Sequence, residues 1–102
     1  MIRVTDNEKD QFEEYGKELN LSYTFEHYGC QGFITNLYGR LNIKTGRLSQ
    51  LITKSGCKSV VSAIMSDRRK LPLNVAFNIC ELCNFTDSQR VVLYEQIAKE
   101  LR

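Results

Sequence analysis

Between positions 33 and 41 the apolar side chains Phe33, Ile34, Leu37, Tyr38 and Leu41 fall at i, i+1, i+4, i+5 and i+8, the spacing of one helical face. Related spacings return along the rest of the chain, and no clear alternating apolar–polar run breaks them. There is a single proline in 102 residues. A chain with so few breakers and no strand period is expected to be all-α. Its length suits one modest core and not two.

The expected helices follow from caps and stripes. Thr5 and Glu8 have the spacing of a capping box, which opens a first helix docked by Phe12, Tyr15 and Leu19. Residues 20–32 are rich in aromatics (Tyr23, Phe25, Tyr28) and hold Gly29 and Gly32, which reads as a packed loop or a short helix. A second helix fits about 33–43. Thr45-Gly46 interrupts it, and a third helix of about 46–54 carries Leu48, Leu51 and Ile52 and ends at Ser55-Gly56. A fourth, about 58–67, carries Val60, Val61, Ile64 and Met65. After the basic loop Asp67-Arg68-Arg69-Lys70, Pro72 is placed in the first turn of a fifth helix, where proline is tolerated. That helix runs to about Cys83 with Val75, Ala76, Ile79, Cys80 and Leu82 as candidate core. Thr86 and Gln89 repeat the capping-box spacing before a last helix at about 87–101.

No apolar run approaches the roughly 20 residues that span a bilayer, and the N-terminus lacks the basic-then-apolar order of a signal peptide. A cytoplasmic chain without a membrane partner is expected. Charge is more informative. The net is +2 overall, yet residues 1–30 hold three basic side chains against seven acidic ones, and residues 31–70 hold eight against Asp67 alone. Residues 71–102 hold three against four. A basic middle between acidic ends provides the local positive potential that phosphate binding needs.

The stretch that carries function is 46–70, GRLSQLITKSGCKSVVSAIMSDRRK. Two short helices around a Ser-Gly turn have the length of a helix-turn-helix, here about 46–68, whose second helix enters the major groove. That helix has an apolar face (Val61, Ile64, Met65) to hold it and an opposite face of Lys58, Ser59, Ser62, Ala63 and Ser66. Small polar side chains allow close approach and can hydrogen-bond base edges, so these five are the candidate base contacts. Lys44, Arg47, Lys54, Arg68, Arg69 and Lys70 are the candidate phosphate contacts.

From about Phe33 to Leu101 the chain resembles the lambda-repressor-like, Cro/C1-type helix-turn-helix family. SGCKSVVSAIMSDRRKLP resembles that family's turn, recognition helix and following loop, with Ser62 and Ile64 at recurrent positions. LPLNVAFNICELCNF resembles the next helix, with Ala76 and Ile79 inward, and FTDSQRVVLYEQI resembles the final helix of many phage-type repressors. The resemblance implies a five-helix bundle over 33–102, here preceded by an N-terminal helical extension over 1–32. It also implies a homodimer reading a palindromic operator in double-stranded DNA, as a phage or mobile-element repressor would. Lys58, Ser59, Ser62 and Ala63 would then face bases, and Arg68, Arg69 and Lys70 would lie near phosphates.

Rival readings remain open. Cys80 and Cys83 form a C-x-x-C with Cys30, Cys57 and His27 as further conceivable zinc ligands, but both sit on or near the apolar face of the fifth helix, where buried thiols act as small hydrophobes. No P-loop, Gly-x-Gly-x-x-Gly or His-Glu-x-x-His occurs, so neither an enzyme nor a cofactor is expected. The last helix has surplus apolar residues, and Val92, Ile97 and Leu101 are candidates for a dimer interface. Alternatively the fold serves protein interaction, as an antitoxin, anti-repressor or inhibitor of a host complex, through its acidic and aromatic N-terminal region.

Overall fold

The computed structural model describes residues 3–54 and 58–101. Among the described residues there are six helices and no strand. None of those helices is long and apolar enough to cross a membrane. The Ser55-Gly56 turn and Cys57 lie outside the described residues, as does the side chain of Lys58.

Helix α1 (Asp6–Glu18) begins at the expected capping box. Glu8 N–H donates to Thr5 Oγ1 at 3.2 Å, and Thr5 N–H donates to Glu8 Oε1 at 3.0 Å, so two otherwise orphaned donors are satisfied. Phe12 and Tyr15 are buried and Leu19 closes the helix as its C-cap. Gly16 is the contact point with α5 (Leu73–Cys83). A Cβ there would stand 2.7 Å from the Cys83 carbonyl oxygen, so the helices approach this closely only without a side chain.

The largest difference from expectation is α2, which runs Leu21–Arg40. Residues 20–32 are not a loop: Asn20 caps the helix by accepting from Tyr23 N–H, and Leu21, Thr24 and Phe25 are buried on one face. The helix is kinked at Gly29, whose φ of 68° is a left-handed conformation that glycine adopts without steric cost. Beyond the kink the N–H of Cys30 donates to Glu100 Oε2 of α6 at 2.9 Å, so a carboxylate from the far end of the chain caps the second half of α2. The anticipated 32/33 boundary therefore falls inside a helix, and Phe12 and Tyr15 belong to the same core cluster as Leu48, Ile79 and Leu93.

Helices α3 (Thr45–Thr53), α4 (Lys58–Met65), α5 and α6 (Asp87–Glu100) match the expected elements within two residues at each end. Pro72 serves as the N-cap of α5 and stands just outside its first turn. Thr86 and Gln89 form the second capping box. Leu82 is half-buried at the margin of the core, whereas Val75, Ala76, Ile79 and Cys80 are interior. Packing is pairwise: α1 and α3 lie on α5, α2 lies on α4 and α6, and α3 lies on α4.

Candidate nucleic-acid interface

Helices α3 and α4 are held by their inward faces. Leu48, Leu51 and Ile52 of α3 and Val61 and Ile64 of α4 are buried. Polar ties fix their ends. Asn78 Nδ2 of α5 donates to the Ile52 carbonyl at 2.9 Å in the interior, and Gln31 Nε2 of α2 donates to the Met65 carbonyl at 2.8 Å. Tyr38 Oη and Ser49 Oγ share a hydrogen bond of 2.9 Å, with burial raising the Tyr38 phenol above its ordinary pKa.

The end of α4 sets where the basic segment emerges. Asp67 has φ 60°, Asp67 N–H donates to Ile64 O at 3.1 Å, and Arg68 N–H donates to Ala63 O at 2.8 Å. Together these make a Schellman cap, with aspartate in the left-handed position usually held by glycine. The chain reverses abruptly, so Arg68, Arg69 and Lys70 follow the last turn of α4 immediately. All three are exposed.

The expected base-contacting positions Ser59, Ser62 and Ser66 are exposed, and Ala63 is half-buried between them and the core. Ser66 Oγ donates to the Ser62 carbonyl at 2.6 Å. Of the expected phosphate contacts, Lys44, Lys54, Arg68, Arg69 and Lys70 are exposed, and no ion pair among the described residues involves them. Lys70 lies near enough to Glu100 to help hold that carboxyl ionised. Burial raises the Glu100 pKa, but hydrogen bonds from Gln96 and Cys30 outweigh burial and leave it below the usual range.

Arg47 differs from the other five. Its Nε donates to Glu8 Oε2 at 2.8 Å and its Nη2 to Glu8 Oε1 at 3.0 Å, with a further hydrogen bond from Nη2 to the Arg3 carbonyl. The Arg47 guanidinium, through those hydrogen bonds, holds the Glu8 carboxyl down at about 2. Arg40 is likewise paired, to Glu18 at 2.9 Å. Two cations of the basic middle segment are thus matched by acids of α1. The signal in the sequence was the charge complementarity itself, but partners 39 residues apart cannot be assigned from it.

One dimer-interface expectation is corrected. Ile97 is 3% exposed and packs inward where α6 lies on α2, so it is unavailable to a second chain; Val92 is half-buried and Leu101 is 63% exposed. Cys80 and Cys83 are both buried, and burial raises both thiols above their ordinary pKa. No group of three or more possible metal-ligating side chains comes together among the described residues. Cys30 is buried at the α2 kink, where burial and then the Glu100 carboxylate push its thiol up to about 12. His27 is exposed and stacks on Tyr23 with ring centroids 4.1 Å apart. A groove of about 470 Å³ runs along α1 past Asp10, Glu14, Glu18 and Arg40, and none of its lining residues belongs to α3 or α4.

Comparison with protein-family models, with curated proteins and with solved structures finds no match to this chain.

Proposed function

We propose that this chain is a non-enzymatic, sequence-specific DNA-binding regulator of the lambda-repressor-like type. In this reading the second half of α2 with α3, α4, α5 and α6 is the five-helix bundle, and α4 is the recognition helix. The observation that carries it is the outer side of α4. A helix anchored by Val61 and Ile64 presents Ser59, Ser62 and Ser66 to solvent, and a left-handed cap delivers Arg68, Arg69 and Lys70 directly beyond it. Small polar side chains beside a cluster of exposed cations meet the two needs of groove reading, close approach to bases and neutralised phosphates. Lys58 joins the base-reading set by its position in the sequence, and Lys44 and Lys54 join the phosphate set. As a phage-type repressor the protein would act in the cytoplasm as a homodimer, with Val91 and Val92 of α6 and Leu101 at its C-cap as the apolar contact surface.

The test is selection of duplexes from a random library, followed by binding to the winner over a range of salt concentrations. A palindrome bound with steep salt dependence fits a dimeric groove reader, with half-sites about one helical turn apart. Ser62→Ala should then change sequence preference, at a cost on the order of 1 kcal/mol against the winning site. Failure to enrich any sequence would overturn the reading. It would favour a protein-interaction role instead, for which the acid-lined groove along α1 is the supporting observation.

A further inference from the structure

The N-terminal end of α3 lacks a side-chain cap. The Lys44 side chain at the cap position makes no hydrogen bond to the helix, and no acidic residue stands in the first turn. The unsatisfied N–H groups and the helix dipole leave this end positive, with nothing local in sequence to balance it. Arg47 stands in the same first turn, so the charges add. Arg47 is met by an anion from α1: the Glu8 carboxylate is gripped by two parallel hydrogen bonds from the Arg47 fork. The Glu8 side chain is 12% exposed and that of Arg47 is 32% exposed, so the carboxylate is covered while the guanidinium keeps an open side.

Resting on the DNA-binding reading, we propose that Glu8 is a built-in stand-in for a DNA phosphate at Arg47. The carboxylate holds the guanidinium in the free protein, and a backbone phosphate displaces it when α4 enters the groove. Carboxylate and phosphate both accept the paired N–H bonds of a guanidinium, so the exchange conserves the geometry of the contact. It is an exchange of side-chain partners only. Phe12 and Tyr15 keep α1 docked throughout, because both are buried in the shared core. The consequence is an affinity set lower than the cationic surface alone would give, with α1 as the element that sets it. The Glu18–Arg40 pair is half-exposed on both sides and has no uncapped helix start beside it, so it takes no part.

Glu8→Gln is the useful variant, because glutamine retains the capping box with Thr5 while removing the charge. Duplex affinity and its salt dependence are measured for the unaltered protein, Glu8→Gln, Arg47→Gln and the double variant, with thermal melts to establish that each is folded. Glu8→Gln should bind the selected duplex about three- to tenfold more tightly and steepen the plot of log K against log salt by about 0.9, one additional phosphate contact. That gain should vanish when Arg47 is already glutamine. An equal gain in both Arg47 backgrounds would mean that Glu8 acts only as diffuse negative charge, and no gain at all would mean that it is only a strut. Either result overturns the proposal while leaving DNA binding intact. Absence of duplex binding by all four proteins overturns the DNA-binding reading itself, and this inference with it.

Discussion

Helices α1 and α4 each bury a narrow apolar stripe and turn a polar face outward, but they use their polar residues in opposite ways. On α1 three polar side chains are matched to partners outside the helix. Glu8 serves both Thr5 and Arg47, Gln11 donates to Asn42 O and accepts from Asn42 N–H, and Glu18 meets Arg40. On α4 and the loop after it, Ser62 faces solvent and Arg68, Arg69 and Lys70 have no ion-pair partner among the described residues. Exposed cations without an ion pair repel one another and add little to folding, so their clustering at one helix end is the feature on which the proposed phosphate role rests. The contrast separates a structural helix from a candidate working one.

The largest effect should come from the structural side. Phe12→Ala removes a fully buried ring where α1 meets the core and should cost about 3–5 kcal/mol in chemical denaturation. A loss below about 1 kcal/mol would mean that α1 is an appendage, and the contrast with α4 would lose its meaning. Asn78→Ala comes next. It leaves the buried Ile52 carbonyl without its donor at the end of α3, and should cost about 1–3 kcal/mol. Duplex binding should also weaken, because α3 sets the position of α4. Arg69→Ala should behave in the opposite sense. Stability should stay within about 0.5 kcal/mol of the parent, while binding to all duplexes falls alike and the salt dependence flattens by about one contact. Equal stability losses from Arg69→Ala and Asn78→Ala would erase the distinction between the two regions.

The features that were legible in the sequence are local ones. Both capping boxes involve residues three apart, so Thr5 with Glu8 and Thr86 with Gln89 were readable without knowledge of the fold. The stripes of α3, α4 and α5 were readable for the same reason. The first half of α2 was hidden because its glycines and exposed aromatics obscure the helical period, and because the kink at Gly29 is completed by Glu100, 70 residues away. The left-handed cap at Asp67 was hidden because only a minority of such positions are not glycine. Ile97 could not be assigned to core or interface in advance: an apolar side chain serves either, and the choice depends on where α2 lies against α6. Arg47 was counted among the phosphate contacts because composition registers a charge and not its partner.

The smallest predicted effect bears most directly on that last point. With Arg47 in place the folded Glu8 carboxyl titrates at about 2, against 4.5 for an unperturbed glutamate. Because the folded value lies below the unfolded one, the pair stabilises the protein fully above the unfolded pKa, and the contribution is lost as pH falls toward 2. Glu100 is depressed as well, so the parent protein's pH dependence mixes the two groups. Urea unfolding of the parent and Glu8→Gln, compared from pH 6 down to pH 3, isolates the first. The parent should be the more stable at pH 6, and the two should converge as the pH drops, since both then carry an uncharged side chain in the unfolded state and the parent gains less from ionising in the folded one. A difference that stays constant with pH would mean that ionisation of Glu8, and so its pairing with Arg47, contributes nothing to stability. Arg47 would then join Lys54, Arg68, Arg69 and Lys70 among the uncommitted cations, and the line between the two regions would move to include the start of α3.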